Sequence, residues 1–188
     1  MVFEFNHVYY WRPALTLTFQ VEPLTDAWPE LVEMHQQHWR DSEAHRGPFT
    51  PELERYLVHE RLGGFVLFTA RDDGRLVGSL GVFLIPSRYT QRLIASEDYL
   101  YLRPEYRRGW NAAKLIATAE QYCWNRGAEE IEVMAVGDRV GSLLRSLDYE
   151  PSAVQYSKRR KRADSVRSVT AVTGVETHDA PSRFSIVS

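Results

Sequence analysis

The chain has a single cysteine among its 188 residues, so no intrachain disulfide can form and a four-cysteine zinc site is excluded. A reducing compartment suits such a chain, and a cytoplasmic location is the expectation. The formal net charge is only −2, so no overall field draws the protein to nucleic acid or to an anionic surface; either role would need a local patch. No apolar run approaches the ~20 residues of a membrane-spanning helix. The opening MVFEFNHVYYWRP lacks the basic region and apolar core of a signal peptide. No internal repeat is visible. What is present is a globular composition, 44% hydrophobic and 26% charged, at a length suited to one domain.

LTLTFQV, Leu15 to Val21, alternates and predicts a strand. TDAWPELVEMHQQHW predicts a helix capped by Thr25, with Leu31, Met34, His35 and His38 at helical spacing. DSEAHRGPF reads as a polar loop. TPELERYLVHERLGG predicts a second helix, with Thr50 as cap, Pro51 in the first turn and Gly63 or Gly64 at its end. FVLFTARDDGRLVGSLGVFLI forms a hairpin turning at Asp73-Gly74. RLIASEDYLYL is a strand, Asn111 to Arg126 a helix ended by Gly127, EEIEVMAV a strand, DRVGSLLRSL a short helix and YEPSAVQYSKR a closing strand. This order predicts an α/β (α+β) fold, a mixed, mainly antiparallel central sheet with helices on both faces. Residues 1–158 make one domain. Residues 159–188, basic and then rich in Ser, Thr and Val, read as a tail, disordered or laid over the surface.

The stretch YLYLRPEYRRGWNAAKLI leads from a strand through a basic turn into the longest helix. Successive backbone N–H groups at a helix start form an anion site, to which the helix dipole adds. Arg107 and Arg108 would contribute charge-assisted bonds to a phosphate. The plainer alternative is a solvated basic loop capped by Asn111.

On these residues the chain resembles the GNAT N-acetyltransferase superfamily, over roughly Leu15 to Lys158. The strand, PEYR, basic turn and helix carry the likeness most specifically, and LLRSLDYE supports it. ERYLVHERLGG, FTARDDGRLVGSLGVFL and VQYSKR are similar in style to the GNAT-like proteins of bacteriophages. The resemblance implies an acetyl-CoA-dependent N-acetyltransferase that passes an acetyl group directly to an amine acceptor in a ternary complex. Its alternative is a binding or regulatory protein, phage- or virion-associated, that keeps the fold without catalysis.

The family's phosphate turn reads Arg/Gln-x-x-Gly-x-Gly/Ala. One register runs from Arg107 to Ala112 and puts Trp110 in the central glycine's place. The other runs from Arg108 to Ala113 and puts Asn111 there. The stretch has one glycine, Gly109. The cofactor positions implied are Tyr99, Leu100, Tyr101 and Leu102 on the strand, and Arg107, Arg108, Gly109, Trp110, Asn111, Ala112 and Ala113 around the turn. The family's base is often an acid on that strand, here Glu97 or Asp98. Strand alternation puts Glu97 on one face with Tyr99 and Tyr101, and Asp98 on the other with Leu100 and Leu102. Burial would raise the pKa of such a carboxylate, as suits a base. Leu144 stands where the family often has a tyrosine acid; Tyr149 and Tyr156 are substitutes whose default role is packing.

His35, His38 and His45 lack a metal-binding motif, and no metal is expected. Trp28, Trp39 and Phe49 belong to the core or to an acceptor-cleft wall. SKRRKR, Ser157 to Arg162, reads as a solvated exit from the last strand, so nucleic acid is not an expected partner, nor is a membrane. Cys123 packs in a helix. The acceptor is left open among a small amine, a peptide N-terminus, a lysine side chain and an aminoacyl group; a homodimer is also open.

Overall fold

The computed structural model describes residues 17–154 and 158. The chain divides into two compact units, Met1–Glu150 and Pro151–Ser188. Of the second, residues 151–154 and 158 are described, and they form neither helix nor strand.

A hairpin organises the sheet of the first unit. Strands β2 (Phe65–Asp72) and β3 (Arg75–Pro86) are joined by Asp73 and Gly74, whose φ angles of 49° and 80° match the right-handed twist of the strands they connect. β1 (Leu17–Glu22) pairs antiparallel with β2, and β4 (Leu93–Leu102) antiparallel with β3. β5 (Glu130–Glu132) pairs parallel with β4, giving the order β1-β2-β3-β4-β5. Helices α1 (Leu24–His38) and α2 (Leu53–Arg61) cover one face, where Leu24, Leu31 and Met34 pack on Phe65, Leu67 and Tyr101. Helices α3 (Asn111–Asn125) and α4 (Asp138–Ser146) cover the other, where Leu115, Ile116, Cys123 and Leu144 meet Phe68, Val82 and Leu102. Six of the eight residues of β2 are buried, because both of its faces are covered; this explains the unbroken apolar run FVLFTA.

Several boundaries differ from the sequence reading. α1 starts at Leu24 after Pro23, and Thr25 bonds its neighbour Asp26 instead of capping. The N–H of Leu24 donates to the Glu60 carboxylate of α2 at 2.7 Å, so a tertiary contact does the work of the cap. α2 starts at Leu53 after Glu52, not at Thr50. DSEAHRGPF is not a plain loop: a π-helical turn at Trp39–Glu43 and a 3-10 turn at Ala44–Arg46 extend α1. β5 uses only the start of EEIEVMAV. Residues 149–154 form no strand; Tyr156, the other residues of the closing strand past 154, SKRRKR apart from Lys158, and the tail lie outside the described residues.

α4 ends in a two-bond reverse turn. Tyr149 N–H donates to Leu144 O at 3.0 Å and Asp148 N–H to Arg145 O at 3.2 Å, with Asp148 at φ 63°. An aspartate thus holds the left-handed position usually given to glycine.

Candidate active site

Two irregularities in β4 create the site. The first is a bulge. Gly81 pairs with Tyr99 and the next β3 residue, Val82, with Glu97, so Asp98 has no partner on β3. An extra residue resets the alternation of side chains beyond it. Ala95 belongs to the core beneath α3, and Glu97 lines a cavity with Ile116 and Cys123 on that same side. Leu100 and Leu102 pack there too, whereas Tyr99 and Tyr101 pack toward α1 and α2. Asp98 also turns toward α2, where the Tyr56 hydroxyl donates to its carboxylate at 2.8 Å. The faces expected from simple alternation are therefore corrected. Glu97 shares a face with Leu100 and Leu102, and Asp98 lies on the side of Tyr99 and Tyr101.

The second irregularity is a splay. Pairing between β4 and β5 runs from Ile94↔Glu130 to Ser96↔Glu132 and stops, while β4 continues to Leu102. A wedge opens, with Glu97 at its apex. The Glu97 carboxylate accepts the Met134 N–H at 2.8 Å across the gap. Burial pushes its pKa above the usual glutamate range and the neighbouring Asp98 charge adds to this; the Met134 N–H works against both.

On the α1 side, Tyr99 lies over Gly81, where an added Cβ would come within 2.6 Å of the tyrosine Cε1. His35 meets Tyr99 edge-on with centroids 4.3 Å apart, and its Nε2 is 3.2 Å from Ser79 Oγ. Burial, and then the charge of His38, lower the His35 pKa to about 4, so the ring is neutral at pH 7. His38 packs on Tyr101 at 4.7 Å. Among the described residues, no group of three or more His, Cys, Asp or Glu is placed to hold a metal ion.

Below β4, a 3-10 turn at Pro104–Tyr106 leads to the start of α3. Gly109 takes φ 63°, and Trp110 sits at φ −97°, ψ 15°, a conformation open to any residue. The backbone thus places its glycine one residue earlier than the Arg107 register requires, and Trp110 is unstrained. The first helical bond is Lys114 N–H to Trp110 O at 2.9 Å. The N–H groups of Arg108, Gly109, Trp110, Asn111, Ala112 and Ala113 meet no acceptor among the described residues. Trp110 is 67% exposed, so its indole leaves the turn open.

The two arginines divide their work. Arg107 Nε donates to Leu102 O at 2.6 Å, and its guanidinium carbon lies 4.9 Å from the centroid of the Tyr101 ring. Arg139 of α4 donates to Arg107 O at 2.6 Å. Arg107 is thus anchored at the end of β4 through its Nε and the Tyr101 ring. Arg108 is exposed and has no ion-pair or hydrogen-bond partner among the described residues. Asn111 bonds Tyr106 O at 3.1 Å through Nδ2, tying the helix start to the 3-10 turn.

Tyr56, the Met134 N–H and Arg139 take part in this site and were not singled out by the sequence. Each reaches it from a distant element, and nothing in their local spacing marks them. Leu144, in the place of the expected tyrosine, is buried in the core under α4. Tyr149 turns its hydroxyl into the interior, shut off from solvent.

A five-stranded, mainly antiparallel sheet split between its last two strands, with helices on both faces, makes a mixed α/β fold. A model of the acetyltransferase (GNAT) family matches residues 28–142, and the chain belongs to that family. A search of curated proteins finds no significant match. Among solved structures, an aminoglycoside acetyltransferase from an uncultured soil metagenomic sample, in complex with sisomicin, is similar at 20% identity and a TM-score of 0.64, covering 77% of this chain and 97% of that one. A ribosomal-protein-alanine N-acetyltransferase from Brucella melitensis biovar Abortus 2308 matches at 18% identity and a TM-score of 0.61, covering 78% and 99%. AAC(6')-Iy, in complex with the bisubstrate analog CoA-S-monomethyl-acetylneamine, matches at 16% and 0.58, covering 77% and 98%. At these identities the likeness is one of fold.

Proposed function

We propose that the protein is an acetyl-CoA-dependent N-acetyltransferase that transfers the acetyl group directly to an amine acceptor. The observation that carries this reading is the continuity of the site: the wedge holding Glu97 runs along the free edge of β4 into a turn with six consecutive amides that meet no acceptor among the described residues. Such a row of donors at a helix start, beside the uncommitted charge of Arg108, suits a diphosphate. The CoA bisubstrate analog held by a similar fold supports the same ligand class.

Acetyl-CoA supplies an acyl group activated as a thioester. Amides 108–113 and Arg108 bind its anionic end. The edge of β4 from Tyr99 to Leu102, unpaired beyond Ser96, directs the remaining arm toward Glu97. An amine acceptor arrives protonated at neutral pH, so it must lose a proton before it can attack. Glu97 takes that proton at its carboxylate, its buried position giving it the higher proton affinity the step needs. Asp98, oriented by Tyr56 on the opposite side of the bulge, attracts the ammonium before it is deprotonated. Acetyl-CoA should raise the melting temperature of the protein, and release of free thiol with a panel of amines should depend on Glu97. No thermal shift at millimolar acetyl-CoA would sink this reading.

Leu144, buried where a tyrosine acid is common, favours a second reading in which the fold binds but does not catalyse, as in a phage-associated regulatory protein. Acetyl-CoA binding with no turnover on any amine tested would select it.

A further inference from the structure

Beneath Glu97, on the α3 side of the sheet, lies a cavity of about 10 Å³. That is about the space one water requires. Its titratable lining is complete in five groups: Glu97 from β4, Glu120 and Cys123 from α3, Glu132 from β5, and Tyr149 after α4. No cation is among them. The remaining walls are apolar, formed by Leu80 and Val82 of β3, Ile116 and Ala119 of α3, and the β5 segment.

Tyr149 is the anomaly. Its hydroxyl is sealed from solvent and meets no acceptor in hydrogen-bond geometry. A buried phenol left so is costly unless a water serves it. Burial raises its pKa far above the normal range, and an approach of the hydroxyl to the Glu120 carboxylate that falls short of full hydrogen-bond geometry raises it further, so the hydroxyl keeps its proton. Cys123 is held as a neutral thiol by burial, at a pKa of about 11, and offers no competing charge.

We propose that the cavity holds one ordered water joining Tyr149, Glu97 and Glu120, and that this water carries the proton collected by Glu97 out of the wedge. The hydrogens balance. The Tyr149 hydroxyl donates to the water oxygen, and the water donates one hydrogen to each carboxylate, which satisfies all three groups. When Glu97 is protonated, it donates its proton to the water as the water releases one to Glu120. Glu120, only partly buried, passes it to solvent. Tyr149 acts through the water and is a positioning residue. The relay's catalytic use rests on Glu97 being the base of the proposed transferase, but the water and its coupling do not.

Carboxyl NMR titration of Glu97 in the protein without acetyl-CoA tests the coupling. Tyr149→Phe removes the donor that orients the water, and the Glu97 pKa should rise by about one unit. Glu120→Gln removes a nearby negative charge, and it should fall. Unchanged Glu97 titration in both variants overturns the proposal. A high-resolution crystal structure should show one water within hydrogen-bond distance of Tyr149 Oη; an empty cavity overturns it even if a variant fails to fold. The transferase reading fails separately. A coupled Glu97 in a protein that neither binds acetyl-CoA nor acetylates amines keeps the relay and removes its enzymatic role. Turnover that depends on Glu97 but leaves its titration indifferent to both changes does the opposite.

Discussion

The backbone N–H of Met134 donates to the Glu97 carboxylate at 2.8 Å, bridging the gap where β4 and β5 have ceased to pair. One side chain of β4 thus reaches the segment that follows β5, beyond the end of the ladder between the two strands, at the place of the proposed base. The structural bond of this carboxylate and its proposed role as base can be separated by measurement.

Replacing Glu97 by Gln should lower kcat by about 10²-fold or more if Glu97 is the base. The acidic limb of the wild-type pH profile should lie above the ordinary glutamate range, since burial raises this pKa. The sign for stability is the reverse of the usual acid. A carboxyl that binds its proton more tightly when folded stabilises the fold below the unfolded pKa, and that contribution is lost as pH rises through the folded pKa. At neutral pH, Glu97→Gln should therefore keep the melting temperature or raise it, while activity falls.

Arg107 and Arg108 should part company under mutation. Arg108→Glu should weaken acetyl-CoA binding about tenfold, because it sets a like charge beside the proposed phosphate site, and should leave the melting temperature of the free protein unchanged. Arg107→Ala should cost about 1 kcal/mol of stability even without ligand, through the Leu102 bond and the Tyr101 ring contact. Calorimetric titration alongside urea melts distinguishes the two. Equal effects of both changes on the free protein would refute the division.

Gly81→Ala should destabilise the protein by about 1–3 kcal/mol, because the new Cβ lands 2.6 Å from Tyr99 Cε1 and 3.1 Å from Phe65 Cε2. The Tyr99 ring would have to leave its place on β3, and His35, which packs on that ring, would be disturbed with it. A urea midpoint within error of wild type would show that the ring moves freely.

His35 should make the fold sensitive to mild acid. Its folded pKa is depressed from 6.5 to about 4, so its contribution is present above pH 6.5 and lost as pH falls toward 4. Melting temperatures across that window should drop less for His35→Gln than for wild type, after subtracting the variant's loss at neutral pH. Parallel curves would place the sensitivity elsewhere.

Much of the frame is written locally and was legible. Asp73-Gly74 dictates the hairpin, Gly127 at φ 85° ends α3, and the short α4 begins at Asp138 as its pattern indicates. The candidate site is less legible because it depends on interruptions. Nothing in SEDYLYL announces that Asp98 will be skipped by its neighbour strand, yet that skip moves Glu97 to the other face. EEIEVMAV has the composition of a full strand, but only Glu130–Glu132 find a partner, since pairing with β4 stops at Ser96. The arginine pair looks symmetric in sequence; the carbonyl of Leu102 and the ring of Tyr101 claim Arg107 alone.

Cys123 is the sole thiol, 1% exposed, with a pKa of about 11. In the native protein it is therefore a poor nucleophile toward alkylating reagents. Reagent uptake then counts molecules whose α3 has come away from the sheet, and the chain carries a built-in gauge of its own opening, readable by mass with no engineered label.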